Sequence, residues 1–213
     1  MTFLPAPEIL AAFTAACLLL VLTPGPDMTF FLGQTLTADR IRGMAAMLGA
    51  CLGVVVHSML AAFGLSALLA ASATAFTFIK IAGAVYLVWL GIQAIRHGSA
   101  LALKKGDGRK APILQVFLMG VGINLLNPKV VMFFLTFLPQ FVSVSDPHAG
   151  SKLMFLGLYS IAFSIPVCAA IIMMADRFTG MMRRSPRAMR TFDWLFAGLM
   201  GTFALRLLLA RGN

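Results

Sequence analysis

Two apolar runs each carry a single charge, and both charges stand beside prolines that break a helix. The first is Asp27 in "LTPGPDMTFF" (22–31), next to Pro24 and Pro26. The second is Lys129 in "INLLNPKVVM" (123–132), next to Pro128. Gly25 suits a cap and Pro26 the first position of a new half-helix, which puts Asp27 in its first turn, where the helix dipole favours an anion. Asn127–Pro128 likewise reads as an N-cap followed by proline at the first helical position. Lys129 then opposes the dipole of its own half-helix. At mid-membrane depth it costs about 2.5–3.5 kcal/mol or more unless paired, so something acidic must come close. Asp27 is the acid available, so the sequence predicts an Asp27–Lys129 arrangement where the two breaks meet. Together the charges suit a zwitterion: Asp27 for an ammonium, Lys129 and the half-helix N-termini for a carboxylate.

Other polar groups surround this pair. Asn124 and Asn127 flank the second break. His57 shares a face with Ala45, Gly49 and Gly53 at four-residue steps, which points it into a tight helix interface, as a packing residue or as part of a proton path. Gln34, Tyr86, Gln140 and Tyr159 either line a path or tie helices together. Cys17, Cys51 and Cys168 are far apart and form no Cys-x-x-Cys or His/Cys ligand spacing, which argues for structural thiols, no metal site and no cofactor.

The elements that must hold these groups follow from composition. Of 213 residues 60% are hydrophobic and only 11% charged, with a mean hydropathy of +0.93, an all-α membrane composition rather than that of a soluble domain. A bilayer core takes about 20 helical residues. Six runs qualify: Ile9–Leu36, Gly43–Ala71, Ala75–Ile95, Ile113–Val142, Leu153–Ala175 and Phe192–Ala210. They use nearly the whole chain, which reads as one transmembrane domain over 1–213. No basic segment precedes the first run, so no signal peptide is expected. The net charge of +10 is distributed as a topology signal rather than a nucleic-acid surface. Twelve of the 17 Lys and Arg follow spans one, three and five, which predicts those loops to be cytoplasmic, close to anionic lipid, and both termini to be periplasmic.

An internal repeat joins the two breaks. At an offset of 104 residues Pro24 falls on Pro128, Leu22 on Leu126, Met28 on Met132, Phe30 on Phe134 and Gly53 on Gly157. The unit is three spans, about 1–100 and about 110–213. An odd number of spans inverts the second copy, giving two inverted three-helix repeats whose first helices are broken, an architecture of secondary transporters. Proline also frees the carbonyl four residues back, here Leu20, Leu22 and Asn124, and such groups persist only where protein or a wet cavity satisfies them.

"LTPGPDMTFFLGQTL", "GMAAMLGACLGVVVH", "IAGAVYLVWLGIQAIR" and "FLMGVGINLLNPKVVMFFLTFLPQF", in this order, resemble the LysE/RhtB family of bacterial amino-acid exporters. The resemblance covers nearly the whole chain. It implies an inner-membrane, non-enzymatic secondary transporter that exports amino acids or close analogues in exchange for protons. Pro24, Gly25, Pro26, Asp27, Asn127, Pro128 and Lys129 match its motifs, and His57 and Tyr86 match further positions. Substrate binding is thereby expected at Asp27, Lys129, Asn127, Asn124, Gly25 and Tyr86, and proton coupling at Asp27 and His57. A single central acid favours a neutral or hydroxylated amino acid over a dibasic one. Two other classes compete. A passive channel would also use breaks and polar linings. A membrane thiol–disulfide enzyme would need cysteines meeting across the repeats, and Cys17 falls on Val121. A homo-oligomer is compatible with all three.

Overall fold

The computed structural model describes residues 5–65, 111–142, 146–177 and 186–209, with helical positions at 81, 84–85, 88–89, 92 and 95–96. Tyr86, most of the expected third span and the basic segment that follows it lie outside the described residues.

All regular structure among the described residues is helical. Helix α1 spans Pro7–Leu22 and α2 Pro26–Thr37. Thr23, held extended by the proline after it, ends α1. Gly25 caps α2 and Pro26 opens it, as expected from the sequence. The two halves meet at 52°. Helix α3, Arg40–Met59, begins under an Asp39 cap that accepts the Arg42 amide at 3.0 Å, and passes into a π-helical turn, Leu60–Leu65.

The second break repeats the first with different caps. Helix α4 spans Ile113–Leu125 and α5 Pro128–Met132. Between them Asn127 is extended, and its side-chain oxygen accepts the Lys129 amide at 3.0 Å. The bend of the α4 span is 49°. After α5 the chain widens into a π turn, Phe133–Phe137, and then tightens into a 3₁₀ turn, Leu138–Phe141. Pro139 has no N–H for the regular ladder, and the altered turns absorb that loss. Helices α6, Ala149–Met173, and α7, Pro186–Leu209, complete the described fold. Before α6, Asp146 accepts the His148 amide and the Lys152 ammonium, which hold its carboxyl below the usual carboxylate range.

Among the described residues, Arg40–Gly64 and Ala149–Met173 are each long and apolar enough to cross a membrane, and the two bent pairs bring the number to four if each is one span. The outer faces are apolar as well: Leu114 and Leu118 of α4 and Leu126 just after it are exposed, Leu126 at 83%. Such a surface suits hydrocarbon rather than water.

Glycines let α3 and α4 touch backbone to backbone. A Cβ on Gly49 would lie 2.1 Å from the Phe117 carbonyl oxygen, and one on Gly120 2.3 Å from that of Ala46. The core divides into two clusters. One gathers Phe13, Phe133, Phe137, Leu138 and Leu156, with Phe13 edge-on to Phe141 at 5.2 Å. The other gathers Leu32, Met47, Val116 and Ile172.

Candidate functional site

The two breaks meet, and each satisfies the other. Pro24 removes the N–H that would have bonded the Leu20 carbonyl. Lys129 Nζ, from the second break, donates to Leu20 O at 3.0 Å and to Thr23 O at 2.9 Å. These carbonyls form the C-terminal end of α1, the negative end of its dipole. The cation that opposes the dipole of α5 thus lies on the favourable end of α1. Charge-assisted hydrogen bonds contribute about 1.5–3 kcal/mol each. Two of them offset the cost of placing an ammonium at this depth.

Asp27 is held from the opposite direction. Its Oδ2 accepts Asn124 Nδ2 and Asn127 Nδ2, both at 2.9 Å. Asn124 is fixed in turn by the close approach of α3: a Cβ on Gly53 would fall 2.4 Å from Asn124 Oδ1, so only glycine admits this amide. The Asn124 carbonyl, which Pro128 frees, accepts the Asn127 amide at 3.0 Å and faces His57 Nε2 at 3.3 Å. His57 is buried and stacked on Phe134, with ring centroids 5.5 Å apart. Gly25 forms a cradle for the lysine, since a Cβ there would lie 3.0 Å from Lys129 Nζ.

The expected direct pairing of Asp27 with Lys129 is corrected in one respect. The two are neighbours, yet they form no ion pair; the ammonium is taken by carbonyls and the carboxylate by amides. The physical reason is the breaks themselves, which free acceptors for Lys129 nearer than Asp27.

Both charges open onto a cavity of about 110 Å³ between the two core clusters. Asp27, Asn124 and Lys129 form its charged end, and Ser160 and Ser164 of α6 add hydroxyls. Met28, Phe31, Phe133 and Phe134 supply apolar wall. Asp27 Oδ1 is buried and has no hydrogen-bond partner among the described residues. Lys129 has spent two of its three donors. The cavity therefore offers one open anionic acceptor and one open cationic donor, the requirement of a small zwitterion.

Of the expected site residues, Asp27, Lys129, Asn124, Asn127, Gly25 and His57 come together here. Tyr86 is outside the described residues. Gln34, Gln140 and Tyr159 do not line the cavity; Tyr159 instead ties α6 to α1 through Thr14 at 3.0 Å. Sequence reasoning missed Ser160 and Ser164, although Ser160, Ser164 and Cys168 recur every fourth residue in an apolar span. It also read the three cysteines as scattered, whereas Cys17, Cys51 and Cys168 all line this one cavity. No group of three or more His, Cys, Asp or Glu arranged to hold a metal ion occurs among the described residues.

Comparison with known proteins shows the family of the chain. The chain is 30% identical over 190 residues to an uncharacterized membrane protein of Vibrio cholerae, covering 88% of this chain and 90% of that one. It is 29% identical over 193 residues to a homoserine/homoserine lactone efflux protein of Salmonella typhimurium, covering 88% and 90%. It is 26% identical over 200 residues to a leucine efflux protein of an Enterobacter species, covering 92% of each. No solved structure matches. The LysE type translocator model matches residues 18–211, and the chain belongs to that family of membrane proteins.

Proposed function

We propose that this protein is a bacterial inner-membrane secondary transporter, not an enzyme, that exports small neutral or hydroxylated amino acids in exchange for protons by alternating access. The observation that carries this reading is the open Asp27 Oδ1 in a cavity shared with Lys129. A substrate ammonium completes Asp27, and a substrate carboxylate takes the remaining donor of Lys129. Asn124, Asn127 and Gly25 hold the two charges in place, and Tyr86 is assigned to the same path on the family resemblance. A proton and an ammonium compete for the same carboxylate, which is the basis of exchange. His57 is linked to Asp27 through Asn124, and in this reading it adjusts the site as the proton load changes. The relatives named for homoserine and leucine efflux support an amino-acid cargo.

The cavity volume supports a small cargo. About 110 Å³ is less than the roughly 150 Å³ that admits a benzene molecule. The architecture in this reading is six spans over 1–213, built as two inverted repeats of about 1–100 and about 110–213, with both termini periplasmic. Arg42 Nε donates to Ala111 O at 2.7 Å, a contact that supports putting the segment after the first span and the start of the fourth on one side.

The test is uptake and efflux of a panel of labelled amino acids in proteoliposomes with an imposed proton gradient. Uphill movement that collapses with a protonophore is expected. Flux that only follows the solute gradient would mark a channel and overturn the reading.

A further inference from the structure

We infer that Ser164 is a specificity-determining residue, whose hydroxyl selects a substrate side chain bearing a hydroxyl over an aliphatic side chain of the same shape. The inference rests on the cavity being the amino-acid site proposed above.

Hydroxyls inside helices usually return their proton to a carbonyl one turn back. Thr14 does so to Leu10, Thr35 to Phe31, Ser58 to Val54 and Ser160 to Gly157, at 2.6–2.7 Å. Ser164 lies in the interior of α6 and lines the cavity, yet it makes no hydrogen bond among the described residues. Its donor and its lone pairs are both available to a ligand. Pro166 lies two residues on, inside the same helix, and removes the N–H that Ala162 would have received.

Position decides which part of the substrate Ser164 meets. Helix α6 lines the cavity with Ser160, Ser164 and Cys168 on successive turns, so Ser164 is about 6 Å by helical rise from each of the other two. The ammonium and carboxylate belong to Asp27 and Lys129, which leaves the α6 hydroxyls for the side chain. Apart from Asp27, Asn124, Lys129 and the thiols, the rest of the lining is apolar, and the proton of Ser160 is committed to Gly157. An aliphatic side chain leaves Ser164 unpaired, whereas a hydroxyl forms one hydrogen bond with it, as acceptor or as donor. One neutral hydrogen bond corresponds to about a five- to tenfold preference.

Competition in proteoliposomes between shape-matched pairs tests this: threonine against valine, and homoserine against norvaline. The wild type should prefer the hydroxylated member of each pair. Ser164→Ala should lower that preference about five- to tenfold, and Ser164→Thr, which keeps the hydroxyl, should retain it. Ligand-induced thermal shifts of the detergent-purified protein, measured with the same pairs, give a readout independent of transport. An unchanged preference in Ser164→Ala, or none in the wild type, overturns the assignment while leaving amino-acid transport intact. Failure of the wild type to move or bind any amino acid overturns the transport reading and this inference together.

Discussion

Lys129 Nζ lies 3.0 Å from the carbonyl oxygen of Leu20, the acceptor that Pro24 sets free. A lysine from one half of the chain thus repairs the helix break of the other. The repair is reciprocal, because the amides of Asn124 and Asn127 beside the second break hold the carboxylate of the first. The site is assembled from defects: neither break is tolerable alone in a medium without water, and together they leave two charges poised at a cavity.

The different partners of Asp27 and Lys129 change the expected outcome of a double-mutant cycle. If the two were simple counter-ions, Asp27→Asn would rescue the stability lost in Lys129→Gln. Since Lys129 rests on Leu20 and Thr23, its loss should cost about 1–3 kcal/mol in either background. Thermal unfolding of the two single variants and the double measures this, and full recovery in the double would mean a direct pair. Asp27→Asn keeps an oxygen for the two asparagine amides, so it should remain folded while gradient-driven efflux is lost.

Gly120→Ala and Gly122→Ala make a matched contrast two residues apart. A methyl at 120 would lie 2.3 Å from the backbone oxygen of Ala46, whereas one at 122 meets nothing within 4 Å. Forcing α3 and α4 apart should cost about 1–3 kcal/mol. The unhindered substitution at 122 should be neutral or slightly stabilising. Melting temperatures in one detergent compare the pair; equal values would show that the helices do not cross at these glycines.

Cys168 offers a direct probe of occupancy. It lines the cavity and is only half-buried. In a background lacking Cys17 and Cys51, a small thiol reagent should modify Cys168, and a transported amino acid should slow the reaction. Gly150→Cys, in the first turn of α6 and away from the cavity, should show no such protection. Equal protection at both positions would mean that the amino acid acts elsewhere.

Sidedness can be read with impermeant thiol reagents on single cysteines at Gly106 and Gly150, in a protein without native cysteines. The basic segments predict Gly106 to react from the cytoplasm and Gly150 from the periplasm. Reaction of Gly106 but not Gly150 from the periplasmic face would invert the topology.

The sequence by itself determined the class, the breaks and their caps. Hydropathy alone demands a membrane, and Pro24, Pro26 and Pro128 cannot continue a helix whatever surrounds them, so Gly25 and Asn127 become caps through local chemistry. The glycine face leading to His57 was legible for the same reason, since four-residue spacing on a helix fixes which side chains share a face. The choice of partners was not legible. Lys129 needs acceptors, and a sequence displays carboxylates but not the carbonyls that a neighbouring break has freed. The convergence of Cys17, Cys51, Ser164 and Cys168 on one cavity was likewise decided only by the fold. It depends on how α1, α3 and α6 pack against one another, and among so many interchangeable apolar residues no periodicity records which faces meet.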